Sequence, residues 1–435
     1  MTQFTARGRC RPELTARSAT SPPAAEIAWA DQSAFPLDWN GPMDRPFDAF
    51  PDACKSRPVI ELLEAVVRRH PQRIALADAA VSITYADAWQ AVAGWAECIA
   101  AATAPGDLVA ILAPVATSSP IAMLACLAAG RPFVALDPGH PPEWIKLALE
   151  DCRPSLLLLA DASHGAARPL LNAPRTLNLD DAPSPSPEFR PARLSPDEPA
   201  CVLFTSGSTG QPKGVVNSQR NLLQRVGQSI NAAHIDCDDR LLTLASPCTI
   251  VGVRDMITAL LAGASLHLLD PHTAGTREIL RIIRDRRISI LFAFPALLRS
   301  VVEGDPAGAG GHLRLVRVGG DTTLWSDIAL LRNWLRPGGL IQLIYAATEA
   351  PMMQWFVSEA VRGDDDRIPI GYPLPGNALA VVDEEGEPVA DGEVGELLVR
   401  SPYVALGFWT AARASNSTGW RPRSGATPPC ATRPW

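Results

Sequence analysis

The sequence predicts an α/β fold built on parallel sheets, followed by a small antiparallel β subdomain. Three observations predict it. From residue 73 to residue 204, short and nearly continuous apolar runs alternate with helix-like segments, the pattern of strands buried on both faces between crossover helices. The same rhythm resumes from residue 265 to residue 345. From Ala378 the apolar period drops to two, which reads as β-hairpins.

The elements follow in order. Residues 1–57 are rich in Pro, Ala and Arg without a sustained period and read as a weakly ordered N-terminal extension. Pro58 opens a helix with apolar positions Ile60, Leu62, Leu63, Val66 and Val67, closed by His70-Pro71. Strands are expected at 73–77, 108–112, 132–136, 155–160 and 200–204, with helices at 119–129 and 142–151 between them. Gly130 ends a helix and Asp137-Pro138 ends a strand. A Pro/Ser-rich connection at 174–199 leads to the strand at 200–204. Further strands are expected at 265–269, 288–294, 313–318 and 340–345, then a hairpin of 378–383 and 395–400 turned at Glu384-Glu385-Gly386.

Composition excludes several classes. A chain of 435 residues has room for two or three domains and a large core. Its net charge of −7 and lack of a basic stripe argue against nucleic acid as partner. Arg281, Arg284, Arg286 and Arg287 form the one basic cluster, which reads as a solvated helix face. No apolar run is long enough to span a membrane, and the first residues lack the charged-then-apolar order of a signal peptide. Nine scattered cysteines without a C-x-x-C pair read as reduced core thiols of a cytosolic protein. His267, Asp270 and His272 read as a strand end and a turn rather than a metal site.

The chemistry concentrates in Leu203-Phe204-Thr205-Ser206-Gly207-Ser208-Thr209-Gly210-Gln211-Pro212-Lys213-Gly214, directly after a buried strand. Glycines let successive backbone N–H groups turn toward one point, hydroxyls add neutral donors, and Lys213 adds a mobile positive charge. Together they suit phosphate oxygens. The P-loop of nucleotide hydrolases requires Gly, four residues, then Gly-Lys-Ser/Thr. Here Pro212 precedes the lysine and Gly214 follows it, so that loop is excluded.

The order strand, Thr-Ser-Gly-Ser-Thr-Gly, x-Pro-Lys-Gly resembles the phosphate loop of the adenylate-forming (AMP-binding) superfamily, which includes acyl-CoA synthetases, nonribosomal peptide synthetase adenylation domains and luciferases. The resemblance covers roughly residues 58–409. It implies the large N-terminal domain of that fold: two parallel-sheet α/β subdomains plus a small distorted antiparallel β-barrel from about residue 378. It also implies ATP and Mg²⁺ as cofactors. Thr205, Ser206, Gly207, Ser208, Thr209, Gly210 and Lys213 would hold phosphates. Tyr345-Ala346-Ala347-Thr348-Glu349 resembles the family's Tyr-Gly-x-Thr-Glu motif, with Tyr345 on the adenine, Thr348 on a phosphate and Glu349 on magnesium. Ala346 departs from the motif's glycine and predicts crowding beside the nucleotide. Val318-Gly319-Gly320-Asp321 resembles the Gly-Gly-Glu turn at the adenine edge, and Gly395-Glu396-Leu397 through Gly407-Phe408-Trp409 matches a structural segment.

The implied reaction joins a carboxylate to the α-phosphorus of ATP, releasing pyrophosphate. The acyl group then passes to a thiol of CoA or of a carrier protein's phosphopantetheine. Catalysis in such a site is alignment and charge neutralisation, with Lys213, Thr348 and Glu349 as the implied catalytic groups. In amino-acid-activating members an aspartate four residues before a Trp-Glu pair binds the α-amino group. Matching backward from Leu260-Leu261-Ala262-Gly263 places Ile250 there, with Val251, Arg254, Phe292, Val316, Val318 and Ile344 lining the rest. An ammonium buried against isoleucine costs on the order of several kcal/mol, so the pocket suits an acid without an α-amino group. Arg254 has two readings, a partner for a second carboxylate or a solvent-facing side chain.

After Trp409 the family continues to a Thr-Gly-Asp element that binds ribose, a hinge, and a mobile C-terminal domain carrying a lysine. Here Thr418-Gly419 is followed by Trp420, and residues 410–435 contain no Asp, Glu, Lys, Leu, Ile, Val or Phe. That stretch reads as an aberrant, disordered tail, such as a shifted reading frame produces, with the mobile domain missing. Two expectations follow: an acyl- or aminoacyl-adenylating enzyme acting with a small acid and a carrier protein, or a degenerate nucleotide-binding remnant.

Overall fold

A computed structural model describes residues 30–31, 36–160, 175–206, 212–305, 308–358, 366–409 and 430–432, apart from residues 182, 187 and 391. The first sheet has seven strands. In spatial order they are Gly407–Phe408, Pro212–Ser218, Pro199–Ser206, Phe133–Leu136, Val109–Leu112, Leu156–Leu159 and Arg175–Asn178. The last five run parallel, and the first two add on antiparallel. Val109–Leu112, Phe133–Leu136 and Leu156–Leu159 are buried at every position, because helices cover both faces. Tyr85–Ala102 and Ser118–Ala128 pack on the face of Val109, Ile111 and Phe133, while Pro142–Cys152 packs on that of Ala110, Leu112 and Val134.

The second sheet has nine strands, in the order Tyr372–Pro373, Pro351–Phe356, Leu340–Ala346, Leu315–Gly319, Ile290–Ala293, Arg240–Thr243, Ser265–Leu268, Ile74–Ala77 and Ser82–Thr84. Its middle is parallel and its two ends are antiparallel. Alternation along each strand sends Ile290 and Leu315 toward Val59–Arg69, Gln219–Ala233 and Ile250–Leu261. Leu291, Val316 and Val318 go to the other face, against Pro271–Asp285, Pro295–Glu303 and Trp325–Trp334. One continuous core joins side chains of both sheets through the helices between them.

The third sheet is small and wholly antiparallel, in the order Ala30–Asp31, Ala378–Val382, Glu396–Arg400 and Cys430–Thr432. Its turn closes as expected, with Asp383 Oδ1 accepting from the N–H groups of Glu385 and Glu387 and Gly386 at φ 92°. Of the stretch read as a tail, residues 410–429 and 433–435 lie outside the described residues, and Cys430–Thr432 pairs with Glu396–Arg400.

Part of the stretch read as an extension packs on the body. Phe50 is buried, and its backbone exchanges two hydrogen bonds with the Asn231 side chain at 2.7 and 3.0 Å. Arg45 pairs with Asp236 at 2.5 Å, and Phe47 stacks on His234.

Candidate active site

The strand Pro199–Ser206 turns back into Pro212–Ser218 as an antiparallel hairpin, with Thr205 opposite Lys213 and Ser206 opposite Pro212. The Thr205 hydroxyl donates to the Lys213 carbonyl at 3.5 Å. Gly207, Ser208, Thr209, Gly210 and Gln211 lie outside the described residues. Lys213 is exposed at the base of the hairpin. The glycine after it has a packing reason: a Cβ on Gly214 would come within 2.8 Å of Val202 and 3.2 Å of Trp409. Trp409 crosses there and donates its backbone N–H to the Gly214 carbonyl at 2.7 Å, so the Gly-Phe-Trp segment closes the hairpin's free edge.

The Tyr345–Glu349 motif sits where Leu340–Ala346 turns back into Pro351–Phe356. A register shift falls between Tyr345 and Ala346, and Ala347 N–H donates to the Ala350 carbonyl at 2.9 Å. Tyr345 is half-buried, and desolvation raises its phenol above the ordinary tyrosine range, so the ring presents a neutral hydroxyl. Ala346 is exposed and does not adopt a left-handed backbone, so its Cβ carries no conformational strain.

Sequence reasoning missed the residue that holds this turn. Arg225, from helix Gln219–Ala233, donates Nη2 to the carbonyls of Ala347 and Thr348 at 3.0 and 3.1 Å. It is buried, and its Nε has no hydrogen-bond partner among the described residues. Burial pulls its pKa down to about 9, the positive charge of Arg254 adds to that, and the Glu349 carboxylate opposes it. The helix follows the hairpin directly, capped by Ser218 Oγ accepting from Asn221 N–H at 3.2 Å. One uninterrupted segment therefore runs from Lys213 to the turn at Thr348 and Glu349. The one available signal is an arginine among apolar positions on the helix after the phosphate strand.

Glu349 is half-buried and its backbone carbonyl accepts from Ala405 N–H at 2.7 Å. Its carboxylate has no hydrogen-bond or ion-pair partner among the described residues. No group of three His, Cys, Asp or Glu side chains that would cage a metal occurs among them either. A lone hard carboxylate fits Mg²⁺, which is commonly bound through one or two carboxylates plus substrate phosphates.

Gly319 and Gly320 are required by their surroundings. A Cβ on Gly319 would collide with the Ile344 carbonyl oxygen; Gly320 has φ 85°, and a Cβ there would collide with the Phe294 ring. Asp321 is exposed and accepts from Thr322 N–H at 2.6 Å. At the strand end and turn after Ser265, His267 meets Ser265 Oγ at 3.2 Å and Asp270 caps helix Pro271–Asp285.

The acid-pocket positions divide. Phe292, Arg317, Gln342 and Ile344 share one face of the second sheet, since Phe292 and Gln342 both pair with Arg317, and Ile344 pairs with Gly319 two residues on. Ile250, Val251 and Arg254 come from the helix Ile250–Leu261 packed on that face. The structure does not bring Val316 and Val318 to them. Both are fully buried on the opposite face, with Ile328 and Leu331. A one-residue step along the strand reverses the face, so Arg317 and Gly319 occupy the places given to those valines. Nor does Arg254 face solvent. It is 6% exposed, donates Nε and Nη2 to Asp255 Oδ1 at 2.9 and 2.8 Å, and lies over the Phe292 ring at 5.2 Å.

A family model described as AMP-binding enzyme matches residues 63–409. The chain belongs to the AMP-binding enzyme family. CymA of Salinispora arenicola, described as a probable non-canonical nonribosomal peptide synthetase, is 32% identical over 308 residues, covering 70% of this chain and 4% of CymA. Novobiocin biosynthesis protein H of Streptomyces niveus is 30% identical over 365 residues, covering 81% of this chain and 59% of that protein. The chain thus spans less than two thirds of either relative. Among solved structures, the nonribosomal peptide synthetase FmoA3 in its α-methyl-L-serine-AMP-bound form superposes with a TM-score of 0.76 at 24% identity, over 84% of this chain and 41% of that one. That likeness establishes the fold as the N-terminal part of an AMP-binding enzyme. No helix among the described residues is long and apolar enough to cross a membrane.

Proposed function

We propose that this chain activates a carboxylic acid with ATP, forming an acyl-AMP and releasing pyrophosphate, for transfer to the thiol of a carrier protein's phosphopantetheine or of CoA. The observation that carries the proposal is the continuous segment from Lys213 to Arg225. It joins the phosphate hairpin to the Thr348–Glu349 turn, so both ends of a bound triphosphate would be addressed by one rigid element. The adenylate in the FmoA3 structure and the peptide-synthetase description of CymA support the acyl-AMP and carrier-protein readings.

In this proposal Lys213 and the hydroxyls of Thr205, Ser206, Ser208 and Thr209 hold the β- and γ-phosphates. Thr348 hydrogen-bonds the α-phosphate, and Tyr345 stacks beside the adenine near the Gly319-Gly320-Asp321 turn. Mg²⁺ bound at Glu349 would supply neutralising charge to the phosphates. Arg225 fixes the turn that presents Thr348 and Glu349 by holding two of its carbonyls. No covalent enzyme intermediate is needed. The acid lies on the face of Phe292 and Ile344, where its carboxylate is aligned with the α-phosphorus.

ATP–pyrophosphate exchange against a panel of carboxylic acids, with calorimetric ATP titration on the same sample, tests this directly. Exchange with at least one acid is expected. Absence of exchange with every acid, joined to absence of ATP binding, identifies a non-catalytic remnant and ends the proposal.

A further inference from the structure

The buried charge on the acid-binding face does not balance. Arg225, Arg254 and Arg317 are each 6% exposed or less. Among them lies one buried carboxylate, Asp255, which meets Arg254 at 2.8 Å and Arg317 at 3.5 Å. All three of the hydrogen bonds that carry those pairs fall on the same oxygen, Asp255 Oδ1. Arg317 spends its other donors on neutral partners, Gln342 Oε1 and Ser229 Oγ, both at 3.0 Å. Arg254 Nη1 has no acceptor among the described residues.

Arg314, just before the strand that carries Arg317, shows what balance looks like. Arg314 is as buried as Arg254, yet it makes a two-nitrogen pair with Asp239 at 2.7 and 2.6 Å and caps the Ala233 carbonyl at 3.0 Å. There two guanidiniums, Arg314 and Arg45, meet two carboxylates, Asp239 and Asp236. Near Phe292 two guanidiniums, Arg254 and Arg317, share one. A buried charge left without a counterion is strongly unfavourable, and a guanidinium is built to take a carboxylate in a planar, two-point contact. Burial, joined by the charge of Arg254 and opposed by that of Asp255, lowers the pKa of Arg317 to about 9.

We infer that the acid activated here carries a second carboxylate, which binds Arg254 and Arg317 while the first is adenylated. The substrate class is a dicarboxylic acid. This rests on the adenylation proposed above and narrows it. Ile250 and Phe292 supply the apolar walls between the two charged ends, and the aromatic ring under Arg254 holds its plane in place. A substrate with only one carboxylate would leave the guanidiniums as they are in the free protein. One bearing an ammonium at this face would add a further positive charge.

The test compares each dicarboxylate of four to eight carbons with its own monomethyl ester, titrated calorimetrically into the full chain. A charge-assisted pair retained in one ligand and lost in the other predicts at least about tenfold tighter binding of the best diacid. In Arg254→Gln that preference should fall to within about threefold. Equal or tighter binding of the esters across the whole series overturns the inference, and this comparison needs no variant to fold. ATP titrated separately keeps the two ideas apart. ATP binding without diacid preference overturns the inference alone. Diacid preference without ATP binding supports the anion site and counts against adenylation.

Discussion

The two ends of the site are built on opposite principles. At the phosphate end the groups are exposed and short-range: Lys213 stands in solvent at the base of a hairpin, and Thr205 reaches only across to its strand partner. At the acid end the groups are sealed. Arg254, Asp255 and Arg317 are all at most 6% exposed and linked to Gln342, Gln354 and Ser229 by hydrogen bonds. An exposed cradle can meet any triphosphate, since water screens it until the ligand arrives. A sealed array has fixed its polarity before the ligand arrives, so it selects. Under the proposed function, the contrast would put catalytic generality at one end and substrate choice at the other.

The largest expected effect breaks the acid end. Asp255→Ala leaves two buried guanidiniums, Arg254 and Arg317, without their shared carboxylate and should cost about 3–5 kcal/mol, read from denaturant midpoints. A loss as small as that of a surface substitution would erase the contrast. Next is the turn between the ends. Gly320→Ala places a Cβ against the Phe294 ring at a positive φ and should cost about 1–3 kcal/mol by the same measurement. Arg225→Met should keep most of the stability but lower pyrophosphate exchange about tenfold at saturating acid, a barrier change of about 1.4 kcal/mol. Partial recovery in Arg225→Lys, which restores a donor to the Ala347 and Thr348 carbonyls, separates positioning from packing. Lys213→Ala is the mildest. Stability should stay within about 0.5 kcal/mol, because the side chain is exposed, and exchange should fall less than tenfold. A large stability loss there would show that the hairpin is a structural keystone.

The same contrast accounts for what is legible in the sequence. The phosphate end announces itself because its residue types are unusual in order: a Ser/Thr/Gly run between a buried strand and Pro-Lys-Gly suits little besides an anion. The Tyr345–Glu349 turn is legible for the same reason. The acid end depends on facing, and facing changes with each residue along a strand. Val316 and Val318 are apolar and read as pocket walls, while Arg317 between them draws no reading. Charged residues are rarely fully buried, so the sequence offers no reason to turn it inward. Helix Gln219–Ala233 stays hidden for a related cause. Gln219, Asn221, Gln224, Arg225 and Gln228 are all buried, which hides the amphipathic stripe by which helices are recognised. The strand Arg240–Thr243 is short and has no flanking signal comparable to its neighbours. The parallel strands at Val109–Leu112, Phe133–Leu136 and Leu156–Leu159 are plain, because uninterrupted apolar tetrads have one comfortable home in an α/β protein.

The hydrogen bonds behind Arg317 run all one way. Arg317 Nε donates to Gln342, Gln342 donates to Gln354, and Gln354 donates to the Leu37 carbonyl. Such a relay hands part of the guanidinium's positive charge outward, amide by amide, to a segment well ahead of the first long helix. That makes the choice of domain boundary a question about selectivity. A chain cut at Pro58, where the regular helical pattern begins, would leave the Gln354 amide, the last donor of the relay, without its acceptor. Such a cut would also take Phe50 out of the core and break its two hydrogen bonds to Asn231, so it is expected to lower stability as well as to loosen the relay.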